Sequence, residues 1–164
     1  MILNDIDNFE RICREAVRYA TIDSTTAPSV HPFEVREVHF VLPIVVRKLF
    51  DNGHYSQATF EAFKFLDKEV SRLSGESETG FKLMMKAFSE DSPLIALTAC
   101  KTVEEKDEQH GYRFIFAGSS LAIRNPRGHL YSLINSPDEC LDHLSLASLL
   151  LRRIETAGFT LLKP

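Results

Sequence analysis

Apolar residues in this chain recur at intervals of three and four, and no stretch alternates over the length of a strand, so the sequence prescribes helices. Val35, Val38, Leu42, Val45 and Leu49 form one series, closed by Asn52-Gly53. Pro43 lies inside it. Lacking an N–H, and with a ring that crowds the preceding turn, it is expected to kink this helix or split it. Tyr55, Thr59, Ala62, Leu66, Val70 and Leu73 make a longer stripe that ends near Gly75, and Phe81, Met84, Met85 and Phe88 a shorter one. Upstream, Phe9, Ile12, Val17 and Ala20 mark a first amphipathic helix, which gives way to the linker-like Ser24-Thr25-Thr26-Ala27-Pro28. The expectation is an all-α, compact helical bundle, with residues 1–30 as an N-terminal helical extension and linker and 31–164 as the main domain.

Two further helices close the chain. One begins near Thr102 or Asp107 and runs through Tyr112, Ile115, Phe116, Leu121 and Ile123, with Ala117 to Ser120 small enough to admit a neighbouring helix. It is expected to end around Arg124, because a residue before proline, here Asn125, is steered away from helical backbone. Ser136-Pro137-Asp138-Glu139 announces the last helix, with Ser136 as cap, Pro137 at the first position and Glu139 closing a capping box. Leu141, Leu144, Ala147, Leu151 and Ile154 form one face, and Leu146, Leu149 and Leu150 extend it nearly all round. Such a helix lies centrally in the bundle or is shared with a partner subunit.

Several function classes are excluded. No apolar run approaches the roughly 20 residues of a membrane span, and the N-terminus is unlike a signal peptide. Three cysteines, Cys13, Cys100 and Cys140, lie far apart without a C-x-x-C spacing, which argues against structural zinc and a disulfide framework and for a reducing cytoplasm. Gly-rich phosphate loops, H-E-x-x-H and G-x-S-x-G are all missing. The histidines, at 31, 39, 54, 110, 129 and 143, include no i, i+4 pair, so neither a metal nor a cofactor is expected.

The chain carries a net charge of −4, yet from Gln109 to Pro137 it contains no Asp, Glu or Lys. The charged residues there are Arg113, Arg124 and Arg127, accompanied by His110 and His129. Such a window is either an anion site or a helix end with solvated arginines. Within it, Arg124-Asn125-Pro126-Arg127-Gly128-His129 sets an arginine five positions before a histidine. Arg47 and His54 have a similar spacing, but residues 48–51 between them look like the last turn of an ordinary helix.

R-N-x-x-x-H between two late helices of a small all-α domain resembles the HEPN superfamily of metal-independent ribonucleases. The likeness extends to the Ymh-type branch through His31-Pro32, Phe50 to Tyr55, the helix from Ala58 to Leu73, Thr79-Gly80, Lys86 to Ser89, Asp107 to Gly111, Phe116-Ala117-Gly118 and Leu144 to Arg153. It covers about His31 to Thr156. Pro43, and Gly128 where the family has a small residue such as alanine, are departures, and the glycine loosens the placement of His129. The resemblance implies RNA cleavage by a ribose 2′-OH, leaving a 2′,3′-cyclic phosphate and a 5′-OH. His129 would move the proton, its type titrating near pH 6.5. Arg124 would stabilise the phosphate charge, Asn125 would orient the histidine or bind a phosphate oxygen, and Arg127 would hold neighbouring phosphates of the RNA. One histidine per chain cannot easily serve as both acid and base, which favours a homodimer, as the resemblance also implies. The role expected is a cytoplasmic toxin or antiviral defence effector, with a possible antitoxin or defence-system partner. Competing readings are a non-catalytic RNA- or nucleotide-binding module of the same fold and a helical interaction domain with an incidental Arg/His pair. Dependence on Mg²⁺ or Mn²⁺ would redirect attention to carboxylates such as Glu61.

Overall fold

A computed structural model describes residues 30–129 and 135–163, and the helix expected around residues 9–20 lies outside them. The regular structure among the described residues is all helical, with no strand. The elements are α1 (Pro32–Val35), α2 (Ile44–Asp51), α3 (Tyr55–Ser74), α4 (Gly80–Ala87), α5 (Val103–Ser119), a π-helical turn (Ser120–Arg124), α6 (Asn125–His129) and α7 (Pro137–Thr156).

The apolar series from Val35 to Leu49 is not one helix. α1 is a single turn, Glu37 takes a left-handed backbone (φ 48°), and α2 starts only after Pro43. Proline therefore splits the run, and Leu42 still reaches the core from irregular chain. His39 secures that segment to α7. Its backbone N–H donates to Ser148 Oγ at 2.9 Å, and its buried ring lies 2.8 Å from the Glu155 carboxylate.

The other boundaries follow local chemistry. Thr102 and Glu105 form a reciprocal capping box, so α5 begins there rather than at Asp107. α3 ends at Gly75 in the left-handed region (φ 72°), where a side chain would be strained. Ser136 caps α7 by accepting from the Glu139 N–H, but the Glu139 carboxylate does not close the box; it accepts from Arg127 Nη2 at 3.0 Å.

The core lies where α7 packs across α3, with α4 and α5 alongside. Leu66, Leu83, Met84, Phe116, Leu144, Leu150, Leu151 and Ile154 are fully buried there. α7 is thus the central helix, although Leu149 remains 49% exposed. Cys140, also buried, has its thiol pushed up by that burial and accepts from the Thr59 hydroxyl, as expected of an inert packing cysteine. Gln109 is the polar staple of this core. Its side-chain oxygen accepts from Leu97 N–H at 2.8 Å, and its nitrogen donates to Phe88 O and Ile95 O at 3.2 and 3.1 Å. One side chain thereby satisfies three backbone groups of the irregular segment between α4 and α5.

Candidate functional site

The helix expected to stop at Arg124 continues. Asn125 adopts helical backbone (φ −64°, ψ −44°) despite the following Pro126, and α6 carries on to His129. The π-turn explains how. Proline in an α-helix loses one hydrogen bond and presses its ring on the carbonyl four residues back, here that of Ala122. Widening the preceding turn, in which Asn125 N–H donates to Ser120 O five residues earlier, relieves that crowding. Insertions of this kind recur at functional sites. This one carries Arg124 and Asn125 on a single continuous element.

Arg124 is held at the edge of a groove of about 430 Å³ whose lining includes Phe60, Lys64, Asp67, Lys68 and Arg72. Its Nη1 donates to Asn125 Oδ1 at 3.2 Å, while Nη2 stands 3.8 Å from Asp67 Oδ2, too far for a hydrogen bond. Nε has no partner. The guanidinium lies 5.7 Å from the centre of the Phe60 ring. It is therefore positioned yet far from saturated, with 24% of the side chain exposed. A fork with free donors can bind an oxyanion.

Asp67 supports this arrangement from beneath. Only 6% exposed, it accepts the Gly80 N–H at 2.9 Å and lies 3.5 Å from Ser120 Oγ, tying the start of α4 and the π-turn to α3. Burial pushes its carboxyl above the usual carboxylate range, against the opposing pull of the Gly80 N–H, Arg124 and Ser120. The sequence signal for Asp67 is its register: it falls on the stripe of Phe63, Leu66 and Val70, where an acid must find partners.

The acid-free window does not leave its cations unpaired, because other elements supply the carboxylates. Glu90 pairs with His110 and Arg113, at 2.9 and 2.7 Å. Arg127, expected to hold RNA phosphates, has a side chain only 4% exposed. It donates to Ile123 O, Asn135 Oδ1 and Glu139 Oε1, at 2.8, 3.1 and 3.0 Å. These bonds pin α6 to the start of α7, and a phosphate could engage Arg127 only by breaking them. Beside it, burial first and Arg127 second hold His143 below the usual histidine range. Arg47 pairs with Glu34 at 3.0 Å and exposed His54 precedes α3, an arrangement unlike that of Arg124. The backbone of His129 closes α6, and its side chain lies outside the described part of the structure.

Gly128 has a steric reason. A Cβ there would stand 3.0 Å from Phe60 Cε2. Alanine at 128 therefore gains up to about 1 kcal/mol of helix propensity but must displace the ring that Arg124 faces. In denaturant unfolding, Gly128→Ala is expected to stabilise a Phe60→Leu background by about 0.5–1 kcal/mol and to give no gain with Phe60 present. Equal effects in both backgrounds would show that the contact is not limiting.

Residues 36–154 match the family described as "Protein of unknown function (Hypoth_ymh)". The chain belongs to this family. No curated protein and no solved structure matches the chain. Among the described residues no helix is long and apolar enough to cross a membrane, and no group of three His, Cys, Asp or Glu side chains is placed to hold a metal ion.

Proposed function

We propose that this Hypoth_Ymh protein is a metal-independent endoribonuclease of the HEPN type, cutting RNA by attack of a 2′-OH to leave 2′,3′-cyclic phosphate and 5′-OH ends. The observation that carries this reading is the state of Arg124: anchored by Asn125, backed by a buried carboxylate, lining a basic groove, and with its Nη2 in no hydrogen bond among the described residues. Such a group stabilises phosphate charge that grows in the transition state. His129, five residues on, is the proton-transfer group of the motif, and Asn125 holds Arg124 in register. A role as a cytoplasmic toxin or antiviral defence effector, restrained by an antitoxin or defence-system partner, fits this chemistry.

Two titrating groups are needed at one phosphate, so the active species is a homodimer in which two motifs share a cleft. The stretch from the C-terminal half of α5 into the π-turn favours this reading. Phe114, Ile115 and Leu121 are 50, 44 and 49% exposed on a carboxylate-free stretch leading straight to the motif. A two-fold contact would bury the same patch from both subunits. Light scattering at micromolar concentration is expected to report a dimer that Phe114→Glu converts to an inactive monomer. A wild-type monomer with full ribonuclease activity would refute the shared cleft.

A further inference from the structure

The groove beside Arg124 contrasts with the rest of this acidic chain. Its lining carries four cations, Lys64, Lys68, Arg72 and Arg124, against one carboxylate, the buried Asp67. The neighbouring acids sit lower than their partners. Glu69 is 7% exposed beneath Arg72 at 37%, whose Nη2 also donates to Thr160 O at 2.7 Å, and the Glu61 side chain is 30% exposed against 39% for its partner Lys64. Lys68 is exposed, with no ion-pair partner among the described residues.

Spacing adds to charge. Lys64, Lys68 and Arg72 stand at i, i+4 and i+8 on α3, so a cation recurs about every 6 Å along one line. Phe60 begins the same line one turn earlier, half-buried, with Lys64 Nζ and the Arg124 guanidinium each 5.7 Å from its ring centre. A row of cations tracking a repeating negative charge, with an aromatic ring at one end, is how proteins hold single-stranded nucleic acid. The backbone meets the cations and a base stacks on the ring. Duplex lacks an unstacked base to offer Phe60, and a mononucleotide lacks the repeating charge.

The geometry points to α3 as the substrate track. A single RNA strand lies along Lys64, Lys68 and Arg72 with a base stacked on Phe60, which delivers the next phosphate to Arg124. This rests on the ribonuclease reading for its substrate but can be tested apart from it. A fluorescent 2′-O-methyl RNA oligonucleotide has no 2′-OH to attack, so its binding in EDTA can be followed by anisotropy across a salt series. Wild-type protein is expected to bind the single strand more tightly than the matching duplex or AMP. Lys64→Ala and Lys68→Ala should each lower the slope of log K against log salt by about 0.7, while Lys106→Ala, away from the groove, should not. Phe60→Ala should weaken binding about 5- to 150-fold at constant slope, and Phe60→Tyr should restore it. No binding by the wild type at low salt, equal binding of duplex or AMP, or slopes unchanged in the lysine variants would overturn the proposal. The two readings separate cleanly. Cleavage of ordinary RNA with unaltered lysine slopes removes the track and keeps the nuclease. Groove-dependent binding without cleavage of ordinary RNA removes the nuclease and keeps the track.

Discussion

His129→Ala is expected to slow RNA cleavage by about 10²–10⁴-fold, the usual contribution of a positioned proton-transfer group. Arg124→Ala is expected to cost about 10²–10³-fold, comparable to losing one preorganised donor at a developing oxyanion. The Arg124 variant should stay folded. Among the described residues its side chain makes one hydrogen bond, to its own neighbour Asn125, and a 3.8 Å approach to Asp67. Removing it leaves Asp67 still bonded to the Gly80 N–H. Arg47→Ala and His54→Ala supply the contrast, since they have a similar spacing but lie on α2 and just before α3, unlike the motif. Rates on labelled RNA, with folding checked by circular dichroism, decide the matter. Loss of activity in a folded Arg47 or His54 variant, with the Arg124 and His129 variants active, would move the chemistry to Arg47 and His54 and overturn the choice of motif.

The largest expected loss of stability is at Gln109. It is fully buried and supplies one acceptor and two donor contacts to backbone groups of the segment between α4 and α5. Gln109→Ala strands Leu97 N–H, Phe88 O and Ile95 O in the core and opens a cavity. A stranded buried group costs about 1–3 kcal/mol. Water entering the cavity would recover part, so about 3–5 kcal/mol is expected in all. That is a large share of the roughly 5–15 kcal/mol that holds a typical domain together. The melting temperature should fall by roughly 6–20 °C, at the 2–4 °C per kcal/mol typical of this size. Gln109→Glu, which keeps the acceptor for Leu97 but loses both donors, should also be strongly destabilised near neutral pH. A loss below about 1 kcal/mol in Gln109→Ala would mean that this segment does not depend on the staple.

Much of the helical framework was legible because its signals are local. Thr102 with Glu105, Ser136 before Pro137, and Gly75 after Ser74 are capping chemistry confined to a few residues. The all-α class followed from apolar spacing alone. What local chemistry could not settle was who partners whom. Glu139 reads as a capping-box residue, but Arg127, brought alongside by α6, takes its carboxylate. Arg127 looked like a free cation in an acid-free window, because nothing near it in sequence shows that Asn135 and Glu139 would enclose it. Asn125 before Pro126 reads as a helix end unless the preceding turn widens, and a π-turn has no short sequence signature. Apolar spacing likewise carried one series across Pro43, because Val38 and Leu42 face inward from irregular chain as they would from a helix. Arg124 stood out in the sequence; Asp67, Phe60 and the lysines of α3 did not, since only the packing of the π-turn and α6 against α3 makes them neighbours of the motif.

The central claim is tested most directly by the ends of the RNA products. Purified wild-type and His129→Ala proteins are incubated with a labelled oligonucleotide in EDTA, and the fragments are resolved before and after treatment with polynucleotide kinase. The wild type is predicted to yield 2′,3′-cyclic phosphate and 5′-OH ends without metal, and the variant to yield few or none. Cleavage that requires Mg²⁺ or Mn²⁺ and leaves 3′-OH and 5′-phosphate ends, or equal cleavage by both proteins, would contradict it.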